Sequence, residues 1–332
     1  MGVIGGLDMG TIIRLVFGII AVFIAGIVLF NASFLSGAHD GEIKILSHRG
    51  VHQTFYREGL TNETCTAERI HPETHNYIEN TLPSIKRAFE LGANMVEIDV
   101  RRTADNHFAV FHDHMLDCRT DGSGMISDAR MEDLRDLDLG YGYTPDHGRS
   151  YPLRGKGKGL MMSLDELLTA MQDEAFLINI KSNSAEDADA FFKFLEATSL
   201  TLNDHIRLWA GPKFAARSRI IEPEIKVGTR RSVKDCAKSY VSWGWLGHVP
   251  ETCHQYGLIV PQNYTWLYWG WPRKTEQRFD RLGIPVLLVG PIGGEHEGIE
   301  TLEQVDAIPQ TYRGWVMTNK IEVVGPALKP NE

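Results

Sequence analysis

Residues 95 to 116 read MVEIDVRRTADNHFAVFHDHML. Two apolar runs of strand length, 95–100 and 108–111, stand out, and the first carries Glu97 and Asp99 two positions apart. On a strand that spacing sends both carboxylates to one face. Acids inside a β-rich core cost several kcal/mol without compensation, so the pair calls for a cation. Only RRTADNH separates the runs, too short for the helical crossover that joins parallel strands. Asp105-Asn106 is turn chemistry. The two runs form either a hairpin or a distorted part of a larger sheet.

Outward from this stretch, short apolar runs recur at 42–46, 176–180, 206–210, 225–228, 257–260, 284–289 and 314–318. Helical patterns lie between them: TLPSIKRAFELG, SLDELLTAMQ, AEDADAFFKFLEAT and ETLEQVDAI. Thr81 and Ser163 stand where N-caps of the first two belong. Strand–helix alternation over this length predicts a closed α/β barrel rather than an open doubly wound sheet. With nine runs for eight staves, one run is not a stave. No glycine-rich phosphate loop opens the first helix, which argues against dinucleotide binding.

The N-terminal segment, about residues 1–40, differs in kind. TIIRLVFGIIAVFIAGIVLF at 11–30 is apolar apart from Arg14 and Thr11 and is long enough to cross a roughly 30 Å hydrocarbon layer as a helix. It reads as a single-pass membrane anchor; a cleaved signal with SGA at 36–38 as its processing site is the alternative. After Arg14 no Lys or Arg follows until Lys44, so the positive-inside rule places the remainder, 41–332, on the periplasmic or extracellular side. The net charge of −9 excludes a nucleic-acid partner, because there is no surplus of cations to neutralise phosphates. Cys65, Cys118, Cys236 and Cys253 allow three pairings and lack zinc-site spacing. Asn31, Asn62 and Asn263 open glycosylation sequons.

Three run ends bring chemistry together. SHRG puts His48 and Arg49 after the first run, and VFHDH puts His112 after the third. Two histidines can divide base and acid work near neutral pH. Arginine can fork onto a phosphate. Paired carboxylates suit a hard cation, Mg²⁺ or Ca²⁺.

SHRG at 47–50, ENTLPSIKRAFELGANMVEIDVRRTADNHFAVFHD at 79–113 and LDCRTDGSG at 116–124 resemble the glycerophosphodiester phosphodiesterase family. The family pattern is His-Arg-Gly, Glu-Asn-Thr, Glu-x-Asp and His-Asp, then a threonine-glycine loop. The resemblance runs from about residue 43 to about residue 320. It implies a distorted TIM (β/α)8 barrel with a small insertion after the third strand, here about 114–160. It also implies a metal-dependent phosphodiesterase that turns glycerophosphodiesters or lysophospholipids into a phosphomonoester and an alcohol.

By the same resemblance His48 and His112 form the acid–base pair and Glu97 and Asp99 bind Mg²⁺ or Ca²⁺. Arg49 and Lys181 contact phosphate, and Glu79 orients the site beside them. The family's third metal ligand is a glutamate in a Glu-x-Lys strand. Here that strand reads LINIKS, so Asn179 takes the place, and an amide oxygen removes one negative charge from the ligand set. Residues 51–78 form an insert that should overhang the active-site mouth. A Cys65–Cys118 disulfide would pin it there in an oxidising compartment. The aromatic runs SYVSWGWLG and NYTWLYWGWPRK suggest lipid or choline contact. A sphingomyelinase D-like lipase and a barrel that binds phosphate without turnover remain as alternatives. The oligomeric state has no signature in the sequence.

Overall fold

A computed structural model describes residues 8–37, 41–61, 63–203, 205–295 and 297–329. The outer ends of the segment expected over 1–40, Ala38 of SGA and the sequon residue Asn62 lie outside the described residues. All nine apolar runs form strands: β1 Lys44–His48, β2 Met95–Arg102, β3 Phe108–Val110, β4 Phe176–Ile180, β5 Ile206–Trp209, β6 Val227–Gly228, β7 Leu258–Pro261, β8 Val286–Val289 and β9 Trp315–Thr318. Eight of them lie parallel in the order β6-β5-β4-β2-β1-β9-β8-β7, and β3 pairs only with β2, antiparallel. The short connection is therefore a hairpin on the side of the barrel, and the turn runs through Asn106 at φ 63°, a conformation asparagine tolerates.

Ten α-helices accompany the strands: α1 Met9–Asn31, α2 Leu82–Glu90, α3 Met131–Leu134, α4 Leu164–Ala170, α5 Ala185–Ala197, α6 Pro212–Ile221, α7 Arg230–Trp243, α8 Arg273–Asp280, α9 Leu302–Asp306 and α10 Ile321–Leu328. At α4 the Glu166 carboxylate accepts from the Ser163 backbone N–H and hydroxyl, at 2.9 and 3.0 Å. Thr81 stands at the start of α2 without capping it, because its hydroxyl donates to the Ile78 carbonyl instead.

Apolar burial is divided by the barrel wall. One layer packs α2, α4, α5 and α6 against β1 to β6, around Ile98, Ile178, Phe191 and Phe214. A second packs α7 and α8 against β7 to β9, around Tyr240, Phe279, Leu288 and Tyr312. Inside the barrel Leu46, Met95, Leu177 and Leu287 close together. They share the parity of His48, Glu97 and Asn179 along β1, β2 and β4, so an apolar plug fills the barrel beneath those three residues.

A fourth cluster joins the stretch after β1 to the stretch after β3. Ala67, Ile70 and Ile78 pack with Leu116, Met131, Leu139, Tyr143 and Leu153. The Cys65–Cys118 disulfide links the same two stretches, and Cys236–Cys253 joins α7 to the segment before β7. Outside all of this runs α1, 23 residues long and apolar enough to cross a membrane, with only Asn31 buried. That asparagine spends its amide on the Ile27 and Trp245 carbonyls.

Candidate active site

Strand register sets the first contacts. His48 lies opposite Glu97 across the β1–β2 ladder, and Asp99 lies opposite Asn179 across β2–β4. The chain then turns sharply after β1, with Arg49 at φ 60° and Gly50 at φ 77°. A side chain at Gly50 would collide with Ser84 of α2, so this glycine is needed for both its backbone and its lack of a Cβ. Asn80 is likewise left-handed, at φ 59°. Its amide clasps Asp99, accepting from the Asp99 N–H at 2.9 Å and donating to Oδ2 at 3.1 Å. Left-handed non-glycine residues are uncommon and cluster at functional sites.

The acids are buried, Glu97 4% and Asp99 0% exposed, and they are treated unequally. Asp99 has Lys181 Nζ 2.8 Å from Oδ1 and Arg49 Nε 3.1 Å from Oδ2. Burial alone would raise its pKa, but the two cations overcome burial and hold Asp99 well below the usual carboxylate range. Glu97 is pushed up, by burial first and by the Asp99 charge second. Its Oε1 accepts from Asn179 Nδ2 at 2.9 Å, while Oε2 has no hydrogen-bond partner and lies 3.6 Å from His48 Nε2.

Both histidines present Nε2 and anchor Nδ1. His112 Nδ1 meets Asp113 Oδ1 at 2.5 Å, Asp113 Oδ2 accepts from Arg119 Nε at 2.8 Å, and Arg119 continues to Glu79 Oε2 at 3.0 Å. Glu79 Oε1 closes the chain on Arg49 Nη1 at 2.9 Å. On the other side His48 Nδ1 meets Asn319 Oδ1 at 2.6 Å, and Asn319 Nδ2 donates to Glu300 at 2.5 Å. Burial, then the Arg49 charge, lowers the pKa of both imidazoles, His48 the more. With Nδ1 held by an acceptor in each case, Nε2 is the ring nitrogen each histidine presents for proton exchange.

All eight residues expected at the site are thus linked: His48, Arg49, Glu79, Glu97, Asp99, His112, Asn179 and Lys181 share one network of polar contacts. Arg49 and Lys181 rest on Asp99. Asn179 turns its nitrogen, not its oxygen, toward Glu97 and Asp99, at 2.9 and 3.2 Å. Two carboxylates side by side repel, and the amide places a donor between them. The sequence reading did not single out Asn80, Asp113, Arg119, Glu300 or Asn319 as site residues. The first three lie within the quoted motifs; Asn319 had only its place after β9 as a signal, and Glu300 had none.

The site opens into a cavity of about 1440 Å³ whose walls include His48, Arg49, His112 and Asn319. The insert supplies much of the rest, including Phe55, Tyr56, Arg57 and His71, and Arg57 pairs across the opening with Glu297. The aromatic runs do not reach it. Among the described residues, Trp243, Trp245, Trp266, Tyr268, Trp269 and Trp271 are all absent from its walls, so any lipid or choline contact they make lies outside this cavity. Trp245 instead packs edge-on against Phe23 of α1, with ring centroids 6.4 Å apart.

The donor set fits a hard divalent cation. Two carboxylates stand side by side, and a buried Glu97 oxygen lacks a partner. A half-turn of the Asn179 amide would exchange its nitrogen for Oδ1. Among the described residues no group of three His, Cys, Asp or Glu side chains converges to hold a metal, so the amide is needed to complete even three protein ligands.

The family model described as the glycerophosphoryl diester phosphodiesterase family matches residues 69–240. A glycerophosphodiester phosphodiesterase of Caldanaerobacter subterraneus is 34% identical over 113 residues, 34% of this chain and 42% of that protein. Human glycerophosphodiester phosphodiesterase 1 is 39% identical over 64 residues, 19% of each chain. These matches span less than half the length of either relative. Among solved structures, a glycerophosphodiester phosphodiesterase from Agrobacterium tumefaciens aligns with a TM-score of 0.55 at 19% identity, covering 85% of this chain and 99% of its own. An Oleispira antarctica phosphodiesterase in complex with the product sn-glycerol-3-phosphate aligns at 0.53 and 16% identity, covering 85% and 95%. At these identities the likeness is one of fold.

Proposed function

Because this chain belongs to the glycerophosphoryl diester phosphodiesterase family, we propose that it hydrolyses glycerophosphodiesters or lysophospholipids to a phosphomonoester and an alcohol. The observation that carries this is the pair of imidazoles, each anchored through Nδ1 and both facing one cavity with Arg49. One imidazole, neutral, takes the proton of the nucleophile on Nε2, while the other enters the reaction protonated on both nitrogens and gives its Nε2 proton to the leaving alcohol. The nucleophile is water or a neighbouring substrate hydroxyl, the latter giving a cyclic phosphate first. Arg49 and Lys181 are the cations near enough to receive phosphate oxygens, and Glu79 and Asp99 hold them in place. Glu97, Asp99 and Asn179 would hold Mg²⁺ or Ca²⁺, in keeping with the family's general dependence on a divalent cation. Such an ion supplies positive charge where phosphate charge builds. The glycerol phosphate bound by the Oleispira phosphodiesterase supports a glycerol-phosphate product.

The protein is further read as a single-pass membrane protein, anchored by α1 with the barrel on the periplasmic or extracellular side. Two disulfides support an oxidising compartment.

The test is turnover of glycerophosphocholine and lysophosphatidylcholine with Mg²⁺, Ca²⁺ or EDTA. Release of alcohol should require the metal and vanish in His48→Ala. His112→Ala should lose on the order of 10²–10⁴-fold in kcat with an unchanged circular dichroism spectrum; near-normal turnover would remove that residue from the chemistry. A second reading, a barrel that binds phosphate without turnover, is favoured by one observation: the Asn179 amide already donates to one oxygen of each carboxylate. Tight phosphate binding, indifferent to EDTA and without release of alcohol, would select it.

A further inference from the structure

Part of the first aromatic run, absent from the cavity, lies instead at the foot of α1. The Asn31 amide nitrogen donates to the Ile27 carbonyl at 2.9 Å and to the Trp245 carbonyl at 3.0 Å. The 3-10 turn Gly244–Leu246, which follows α7 directly, is therefore level with the last turn of α1. From there the Trp245 ring runs back along the helix to Phe23. Phe23 precedes Asn31 by eight positions, about 12 Å along the axis.

That distance decides where the turn lies if α1 crosses a bilayer. If the barrel stood clear of the lipid, Phe23 and everything after it would stand clear too. The apolar run from 11 would then keep only about 18 Å for a hydrocarbon layer of roughly 30 Å. If the run spans the layer, the turn comes down to meet the lipid. The side chains suit that place, since Trp243 at the end of α7 is 59% and Leu246 in the turn 54% exposed. Cations ring the same foot: Lys274 and Arg278 each lie 5.5 Å from the Phe30 ring centroid. Lys274 also donates to the Phe30 carbonyl, and Arg278 donates to Asn31 Oδ1 at 2.9 Å. Tryptophan at headgroup level with cations beside it is the composition of a bilayer interface.

We propose that Trp243, Trp245 and Leu246 form a second, barrel-borne membrane contact, seated in the interfacial layer of a phospholipid bilayer beside α1. The proposal rests on the reading of α1 as a transmembrane anchor. The contact fixes the barrel's tilt and height over the lipid, because two points of attachment leave less freedom than one flexible tether.

The test uses the full chain in phosphatidylcholine vesicles, with and without lipids brominated on their acyl chains, and reads tryptophan quenching after flotation. The wild type should float, and Trp243→Phe/Trp245→Phe should lose at least half of the quenchable fluorescence. Trp315→Phe, inside the barrel, should lose none. Trp243→Leu alone provides a milder variant should the double one fail to fold, and it too should lose quenchable signal. If the chain floats and neither variant changes the quenching, the turn faces water or another protein and the proposal is overturned while the anchor stands. If the chain does not float, the anchor reading itself fails and takes the proposal with it.

Discussion

Arg119 reaches Glu79, Asp113, the Tyr143 hydroxyl and the Thr66 hydroxyl from a side chain 3% exposed. Removing it would take a cation from buried Glu79 and half-buried Asp113 at once. Arg119→Ala should cost about 3–5 kcal/mol, read from urea unfolding, and Arg119→Lys should recover little because one ammonium cannot span four acceptors. An alanine variant as stable as the wild type would mean that Glu79 and Asp113 find other partners. Asn179 sets a second expectation. Asn179→Glu restores a negative charge beside Glu97 and Asp99, and at the few ångströms involved such a charge is worth several kcal/mol to a cation at an effective dielectric near 20. Calorimetric titration should show Mg²⁺ or Ca²⁺ bound about tenfold tighter or more; unchanged affinity would place residue 179 outside the ligand set. At this scale the sequence was informative where ladder register does the work, since Glu97, Asp99 and Asn179 meet simply by lying on neighbouring strands. It was silent on Asn319, which reaches His48 from 271 positions away.

Among the elements, the β2–β3 hairpin was the most legible, because seven intervening residues and an Asp-Asn pair leave no room for a crossover. Caps were less so: Ser163 and Thr81 look alike in sequence, yet the nearby Ile78 carbonyl captures one hydroxyl. Helix α8 carries a feature that no pattern would reveal. Glu276 lies 2% exposed, its Oε1 accepting from the Arg313 N–H at 2.6 Å and its Oε2 without a hydrogen-bond partner. Burial pushes its pKa up from 4.5 to about 7, with the Asp280 charge adding to the rise. Below about pH 4.5 the group is protonated in both folded and unfolded chains and contributes nothing. From there to about pH 7 the unfolded chain gives up the proton while the folded chain keeps it, so stability falls. Above pH 7 the loss is constant, at roughly 3 kcal/mol. Glu276→Gln should therefore gain stability over the wild type as pH rises from 5 to 8, and match it near pH 4.5. A gain independent of pH would mean that packing rather than charge is responsible.

For the whole molecule, the question is how far the barrel depends on the helix outside it. Alternating patterns over 41–332 foretold eight staves and one outlying strand, because each run is buried by helices flanking it in sequence. The docking of α1 was not foretold, since an apolar helix of this length carries no mark of which surface receives its end. That docking is polar and peripheral. No residue of α1 belongs to any of the four apolar clusters, and only Asn31 is buried. The barrel's hold on α1 and the turn after it includes donors from Arg273, Lys274, Gln277 and Arg278 to residues 30–37, the Asn31 donation to the Trp245 carbonyl and the edge contact between Trp245 and Phe23. Hydrogen bonds at this peripheral, exposed to half-buried foot can be handed to water at about 1 kcal/mol each or less. A chain beginning at residue 41 should accordingly fold, and in one detergent it should unfold within about 2 kcal/mol of the full chain, since several such bonds are lost together and water repays most of each. It should also hydrolyse a water-soluble diester with unchanged kcat, because among the described residues no cavity wall residue comes from the first forty positions. A shortened chain that unfolds far earlier would show that the foot of α1 carries core packing; one that keeps its stability but loses turnover would tie the anchor to the site itself.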